Sequence, residues 1–278
     1  MSYAFTHAGR TECCVTTFFA EELTAPEFGH FVNAQTVGVL PVAAIEPHGP
    51  HLPLSTDCDI ARGHLAHVAD FVAEETNVLI LPLQTIGHSL EHEGFAGAFT
   101  HGAETLLRVW ADVTATFRAA GGRRLIVVSS HGGNSDVVGI LIQRLRAERG
   151  MLAVTASWQR FGYPEGLFDP REPAHGIHGG EIETSLMLHY WPEAVRADKL
   201  QDFASAAETW DAESKEMKTH GRIRPAWMTR DLNPQGAVGN AAAATAEKGA
   251  AAARHQLNGF GELIADVAAF DLNRLGSK

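Results

Sequence analysis

Short apolar runs alternate with amphipathic helical segments along most of this chain, and this alternation is what most restricts its fold. Four runs rich in β-branched residues indicate buried strands at 37–45, 78–83, 125–128 and 152–158. Local patterns predict helices at about 24–33, 59–75, 103–120, 136–149, 181–189 and 241–270. Strands that alternate with helices form a mostly parallel sheet covered on both faces, so the sequence predicts an α/β fold.

Four segments show neither an apolar strand run nor a helical spacing of apolar residues. They are 1–20, 84–101, 159–178 and 198–240. No internal repeat or flexible linker divides the chain, so we predict a single domain over residues 1–278. Loops longer than about 12 residues inside a compact domain are usually functional or disordered. Because unusual polar residues concentrate in 84–101, in 159–178 and just after two predicted strands, we expect the functional site there.

The charge balance argues against a nucleic-acid partner. Twenty-two Lys and Arg stand against 33 Asp and Glu, which gives a formal net charge of -11, and no basic patch interrupts this excess. Fifteen histidines point instead to metal or proton chemistry. We therefore expect the partner to be a small-molecule substrate.

The cysteines and the apolar stretches indicate the cellular compartment. Cys13, Cys14 and Cys58 form no C-x-x-C pair, and their odd count argues against a disulfide framework, so we expect small buried thiols. No secretory signal is visible, and no apolar stretch approaches the roughly 20 residues of a membrane helix. The sequence thus predicts a cytoplasmic protein without membrane contact.

The first candidate site segment follows the predicted strand 37–45 directly. It contains Glu46 and His48, two residues apart, so in extended chain their side chains converge on one side. Gly49 and the neighbouring prolines fix a turn. Asp57 then lies at a predicted helix start, where the helix dipole favours a carboxylate.

Two further segments bring similar residues. His131 follows the strand 125–128, and ligands of open α/β sheets bind beyond the carboxyl ends of strands. His178, Glu181 and Glu183 lie at a loop-to-helix boundary. Each residue alone fits a helix cap, a turn or a packed histidine equally well. Together they form a mixed oxygen and nitrogen donor set of the kind that suits zinc or manganese.

These segments resemble the creatininase family of amidohydrolases. The resemblance runs from about residue 15 to 265 and is most specific in the first segment. The matching stretches are Glu46-Pro47-His48-Gly49-Pro50-His51-Leu52-Pro53 with Asp57, Gly87-His88-Ser89-Leu90-Glu91-His92, His131-Gly132-Gly133-Asn134, His178-Gly179-Gly180-Glu181-Ile182-Glu183-Thr184-Ser185 and Pro234-Gln235-Gly236-Ala237-Val238-Gly239.

The resemblance implies a three-layer α/β/α fold and two divalent metal ions, with zinc favoured and manganese or iron as alternatives. It implies that Glu46 and His131 hold one ion, that His48 and Glu183 hold the other, and that Asp57 bridges them. It further implies an acid/base role for His178, pocket positions for Ser89 and His92, and a homohexamer.

The chain also departs from creatininase itself. Gly132 and Gly133 stand where creatininase has Tyr-Glu after the metal histidine. That Glu is a metal ligand in creatininase, so in this chain the corresponding carboxylate must come from another position. We choose Glu183 over Glu181 because Glu183 matches the acid of the family's H-x-G-x-x-E-T pattern. The departure also argues against creatinine as the substrate.

Several other residues receive weaker predictions. Trp158, with Phe161, is a candidate wall for the substrate, although both fit ordinary core aromatics equally well. His64 on the helix after Asp57 is expected to be structural. Glu91 fits a solvated loop charge, and we assign it no role.

The predicted function is hydrolysis of a C–N amide bond in a small, cyclic amide by metal-activated water, with His178 passing a proton to the leaving nitrogen. One alternative is that the same centre opens a formamide, a keto-cyclitol ring or a short peptide. Another is a non-catalytic relative that keeps the metal site.

Overall fold

A parallel sheet forms the centre of the protein. The computed structural model describes residues 17–276. Its sheet has five strands, each parallel to its neighbours, in the order β1-β3-β2-β4-β5. The strands are β1 (Thr17–Phe19), β2 (Val37–Val42), β3 (Val78–Ile80), β4 (Arg124–Ser129) and β5 (Leu152–Ser157). The predicted parallel sheet is confirmed, and β1 is new, because three residues are too few to reveal a period of two.

The helices of the described residues include one overlapping each of the six predicted helices and three short ones in segments where none was predicted. They are α1 (Ala25–Phe31), α2 (Thr56–Leu65), α3 (Ala103–Ala119), α4 (Ser135–Arg149), α5 (Arg171–His175), α6 (Glu181–Tyr190), α7 (Ala207–Glu213), α8 (Thr229–Leu232) and α9 (Ala246–Ala269). Capping explains two of the boundaries. The Glu27 carboxylate accepts hydrogen bonds from the backbone N–H and the hydroxyl of Thr24, each at 2.7 Å, at the start of α1. Gly150 ends α4 with φ of 64°.

Three predicted segments differ from the structure. The helix predicted at 59–75 ends at Leu65, and a separate 3-10 turn covers Val68–Phe71. The loop predicted at 159–178 contains α5, and the irregular region 198–240 contains α7 and α8. The same region holds an antiparallel pair of two-residue strands, β6 (Asp202–Phe203) and β7 (Gly239–Asn240). Elements this short leave no periodic signal in a sequence.

Alternate residues of the central strands supply two cores, one on each face of the sheet. On one face Leu40 and Leu125 pack in a cluster with Trp110 of α3 and with α4. On the other face Val39 packs in a cluster with Phe260 of α9 and with α2. Helices therefore cover both faces, and the predicted three-layer α/β/α architecture is confirmed.

The carboxyl edge of the sheet positions the candidate site. Val42 at the end of β2 pairs with Ser129 at the end of β4. The segments that follow these two strands therefore leave the sheet side by side, and these segments carry most of the predicted site residues. Within residues 17–276, no helix combines the length and apolar character that crossing a bilayer requires. Cys58 is buried as expected, whereas Cys13 and Cys14 lie outside the described residues.

His64 is a fully buried histidine in the helical layer formed by α2, α6 and α9. Its Nδ1 donates to the Ile60 carbonyl at 3.0 Å, and its Nε2 lies 2.8 Å from the side-chain amide of Gln256. The imidazole packs on Trp158 with 4.5 Å between ring centroids. Burial lowers the pKa of His64 to about 4, so the folded protein holds this ring neutral.

We expect His64 to make the protein less stable in mild acid. The unfolded chain protonates this histidine below a pKa of about 6.5, whereas the folded protein does so only near 4. Its contribution to the free energy of unfolding is therefore complete above pH 6.5 and is lost as the pH falls towards 4, by up to about 3 kcal/mol. Urea unfolding at several pH values, compared with His64→Gln, measures this term. Equal pH slopes in the two proteins would contradict it.

Candidate metal centre

The turn after β2 brings three candidate ligands from one short segment. The backbone N–H of Glu46 donates to the Leu54 carbonyl at 3.0 Å, which folds residues 46–54 back on themselves. Gly49 has φ of 68°, a conformation that favours glycine, and it allows the sharp reversal. Asp57 then enters the first turn of α2, facing Glu46 and His48. All three side chains are buried.

The five predicted ligands lie together around Asp57. One carboxylate oxygen of Asp57, Oδ1, lies 3.5 Å from His48 Nε2, and the other, Oδ2, lies 3.4 Å from His131 Nδ1. Glu46 Oε1 lies 3.1 Å from His131 Nδ1. Glu183 Oε2 lies 3.7 Å from His48 Nε2. Residues far apart in sequence thus form one cluster at the carboxyl edge of the sheet.

Backbone carbonyls set the tautomers of both histidines. His48 Nδ1 lies 3.1 Å from the Glu46 carbonyl, and His131 Nε2 lies 2.9 Å from the His88 carbonyl. Because a carbonyl only accepts, these nitrogens carry the hydrogens. In the neutral rings, the opposite nitrogens therefore direct lone pairs at the carboxylates.

This arrangement leaves acceptor atoms facing one another. Glu46 Oε1, His48 Nε2 and Asp57 Oδ2 are buried and have no hydrogen-bond partner. Buried polar atoms normally have partners, and a set of orphaned acceptors fits a bound cation. Among the described residues, His48, Asp57 and Glu183 each offer a ligand atom within 4.8 Å of one another, and so do Glu46, Glu91 and His131. The donor set therefore fits divalent metal ions.

The electrostatics of the cluster also favour added positive charge. Burial alone would lower the pKa of His48, but the negative charges of the nearby Asp57 and Glu183 raise it to about 9. Burial raises the pKa of Glu183 to about 7, despite the opposing attraction of His48. Without a cation, the cluster reduces its excess negative charge by holding protons. A divalent ion supplies the same positive charge without them.

His178 lies beside the predicted ligands. Its Nε2 donates to the Pro47 carbonyl at 2.7 Å, and its Nδ1 lies 3.6 Å from Glu46 Oε1. The ring stacks between His48 and His92, with ring centroids 4.2 and 4.3 Å away. Burial lowers the pKa of His178, and the two neighbouring histidines lower it further. The resting ring is thus neutral, with an unprotonated Nδ1 facing the cluster.

Of the predicted pocket residues, Ser89 and His92 lie beside Glu46, whereas Trp158 lies in the hydrophobic core. Ser89 Oγ donates to Glu46 Oε2 at 2.5 Å, so it orients a candidate ligand. His92 Nε2 lies 3.4 Å from Glu46 Oε1. Trp158 is buried in the core, and its rings pack on His64 and Phe260. Its contacts are those of a core aromatic, and its predicted role in a substrate wall gains no support from them.

The structure separates the two acids at the start of α6. Glu183 accepts a hydrogen bond from the Gly179 N–H at 2.6 Å and faces His48. Glu181 forms an ion pair with Lys248 of α9. The geometry agrees with the choice of Glu183 as the candidate ligand. Lys248 follows in sequence by more than 60 residues, so no local pattern could reveal its pairing.

Glu172 is a site-supporting residue that the sequence did not reveal. This buried carboxylate accepts hydrogen bonds from the N–H groups of Glu181 at 2.5 Å and Asn240 at 2.9 Å. It occupies the space that side chains at Gly180 and Gly239 would need. Glu172 therefore holds the start of α6, which presents Glu183, against β7. In the sequence, Glu172 is marked only as a carboxylate in a long, glycine-containing loop, and this does not identify its partners.

Comparisons with known proteins identify the family. The family model of creatininase, described as creatinine amidohydrolase, matches residues 21–264. The chain belongs to the creatininase family. The predicted family and its hydrolase character are thereby confirmed.

Three relatives show how the family varies. A mycofactocin precursor peptide peptidase from Mycobacterium ulcerans is 35% identical over 58% of this chain and 61% of its own length. A 3-dehydro-scyllo-inosose hydrolase from Thermotoga maritima is 25% identical over 82% of this chain and 76% of its own length. The solved structure of a mutant creatininase of Zn-Zn type has a TM-score of 0.70 and 25% identity, covering 89% of this chain and 97% of that one. These proteins are named for different substrates.

Replacing Asp57 tests the cluster as a metal centre. We expect Asp57→Asn to weaken metal binding at least about tenfold, because a neutral amide replaces the carboxylate between the two histidines. Elemental analysis after equilibrium dialysis measures the bound metal. Asp59→Asn is the matched control, since Asp59 contacts Ser55 and Arg62 instead of the cluster. Full metal occupancy in Asp57→Asn would contradict the prediction.

Proposed function

We propose that this member of the creatininase family is a binuclear metal-dependent hydrolase that cleaves a C–N amide bond. The two-sided geometry of Asp57 carries the proposal. Its oxygens face His48 at 3.5 Å and His131 at 3.4 Å, so this carboxylate would contact an ion on each side. Zinc is the favoured metal, with manganese or iron as alternatives.

The chain offers one set of ligands on each side of Asp57. Glu46 and His131 would hold one ion, and His48 and Glu183 the other. When bound, two divalent ions acidify a water molecule and polarise the substrate carbonyl. Ser89 orients Glu46 through its hydroxyl, and the carbonyls of Glu46 and His88 orient the two imidazoles.

His178 would move the proton. Its Nε2–H is held by the Pro47 carbonyl, so proton transfer occurs at Nδ1, which faces the cluster. The neutral ring would accept a proton from the attacking water at Nδ1 and then deliver it to the leaving nitrogen as the C–N bond breaks. The Pro47 carbonyl stabilises the imidazolium between these two steps. The presence of this histidine argues against a non-catalytic relative.

The sequence favours a small cyclic amide, and one observation favours a short peptide as the second candidate. A Cβ built at Gly132, next to His131, meets no atom within 4 Å, and this residue is exposed. Gly132 therefore leaves free space beside the segment that carries His131, which suits a substrate that extends along it. The identity to a peptide peptidase supports the same candidate. Ring opening of a keto-cyclitol is the third candidate, as in the name of another relative.

A substrate panel tests these candidates directly. We expect hydrolysis of at least one cyclic amide, formamide or short peptide, lost on treatment with a chelator and restored by zinc or manganese. Product analysis by mass spectrometry identifies the cleaved bond. Cleavage of keto-cyclitols alone would replace the amide assignment. Turnover that is unaffected by metal removal would contradict the proposal.

Replacing His178 tests the proton transfer. We expect His178→Gln to lower kcat by about 10²- to 10⁴-fold, because the amide cannot accept and return a proton. The bound metal should stay within twofold of the native protein, measured on the same samples. His67→Gln on the protein surface is the control, with unchanged kcat. Native kcat in His178→Gln would exclude the role.

Assembly and location stay predictions, the first from the family resemblance and the second from the sequence. We expect a homohexamer in the cytoplasm. Sedimentation equilibrium gives the mass of the assembly, and a monomer under assay conditions would exclude the hexamer.

A further inference from the structure

Glu91 lies close to the Nε2 atom of His131. It belongs to the 3-10 turn Leu90–His92, and its Oε1 lies 3.3 Å from His131 Nε2. The opposite ring nitrogen, Nδ1, faces Glu46 and Asp57. Glu91, Glu46 and His131 each also offer a ligand atom within 4.8 Å of one another, so Glu91 lies near the edge of the cluster as well as near Nε2. Glu91 is also the more exposed group, with 18% of its side chain accessible against 5% for His131.

Gly133 makes room for this contact. A Cβ at position 133 would lie 2.5 Å from Glu91 Oε1 and 2.5 Å from His131 Nε2, and it would also collide with the His88 carbonyl. A side chain there would displace Glu91 or His131. At the adjacent Gly132, a Cβ would meet no atom within 4 Å. The two neighbouring glycines therefore differ in the space available to a side chain.

We propose that Glu91 is a positioning residue for the candidate metal ligand His131. Its carboxylate shares the Nε2–H of His131 with the His88 carbonyl, which fixes the ring and leaves the Nδ1 lone pair directed at the cluster. This inference rests on the proposed function, because it assigns a role to Glu91 only through a metal on the Nδ1 side. It replaces the expectation that Glu91 is a solvated loop charge.

The negative charge of Glu91 matters as well as its position. A carboxylate that accepts the distal N–H of a ligating imidazole makes that imidazole a stronger donor. A glutamine at position 91 keeps an acceptor of similar size and removes the charge. Loss of such an outer partner typically weakens metal binding by about 10- to 100-fold. The effect should fall on the ion next to His131 and spare the ion next to His48.

Zinc titrations against a chromophoric chelator test the proposal. We expect Glu91→Gln and Gly133→Ala each to weaken one of two zinc ions by about 10- to 100-fold and to leave the other within threefold. The matched controls are Glu93→Gln, an exposed carboxylate in the same loop, and Gly132→Ala, which adds a methyl group in open space. Both controls should bind zinc as the native protein does. Circular dichroism of the metal-free proteins shows whether each variant is folded.

The ring itself provides a second measurement. In native protein loaded with zinc, ¹⁵N shifts of the His131 imidazole should show a protonated Nε2 and a coordinated Nδ1. In Glu91→Gln, the hydrogen on Nε2 should exchange faster with water, because it has lost its charged partner.

The outcomes separate this inference from the proposed function. If Glu91→Gln binds both ions with native affinity, or if Gly133→Ala matches Gly132→Ala, the positioning role is wrong and the His88 carbonyl suffices. If Glu91→Gln cannot bind the second ion even at saturating zinc, Glu91 is a direct ligand and positioning is again wrong. If the native protein itself binds no zinc or a single ion, the binuclear proposal fails.

Discussion

Three carboxylates and two imidazoles are buried together at one edge of the sheet, and the rest of the site depends on how their charge is balanced. Among the described residues, the ion pairs of Glu46, Asp57 and Glu183 are all with histidines. Burying a charge costs several kcal/mol unless a partner compensates it. Protons on the histidines provide one form of compensation, and divalent cations provide another. Such a cluster is costly for stability alone, and this cost favours a functional origin.

The sheet supplies the rigidity that this cluster needs. Pairing of Val42 with Ser129 places the ends of β2 and β4 at the same level, so the turn carrying Glu46 and the segment carrying His131 start from fixed neighbouring points. Backbone carbonyls then orient the imidazoles, which removes a rotational freedom that side-chain partners alone would leave. The pairing of the strands therefore fixes the relative positions of the candidate ligands.

The sequence was sufficient to predict the elements with a clear hydrophobic pattern and the site residues that lie at the ends of those elements. Long strands were visible as apolar runs rich in β-branched residues, and long helices were visible from their period. Glu46, His48, Asp57 and His131 stood out because they follow buried strands or begin a helix. The three-residue strand β1 carries no period. The contacts of Glu91 and Glu172 depend on loops that fold onto distant segments, so their sequence neighbours could not reveal them. Trp158 shows the converse limit, because an aromatic residue at a strand end gives no sign of which layer receives its ring.

The carboxylate of Glu172 and the glycines that surround it have a consequence for protein engineering. Because Glu172 fills the space in front of Gly176, Gly180 and Gly239, these four positions constitute one steric unit. A larger residue at any of the three glycines requires a smaller one at 172, and that smaller residue would leave the N–H groups of Glu181 and Asn240 without their acceptor. Libraries that diversify this region should therefore keep these four residues constant and vary the exposed positions around them.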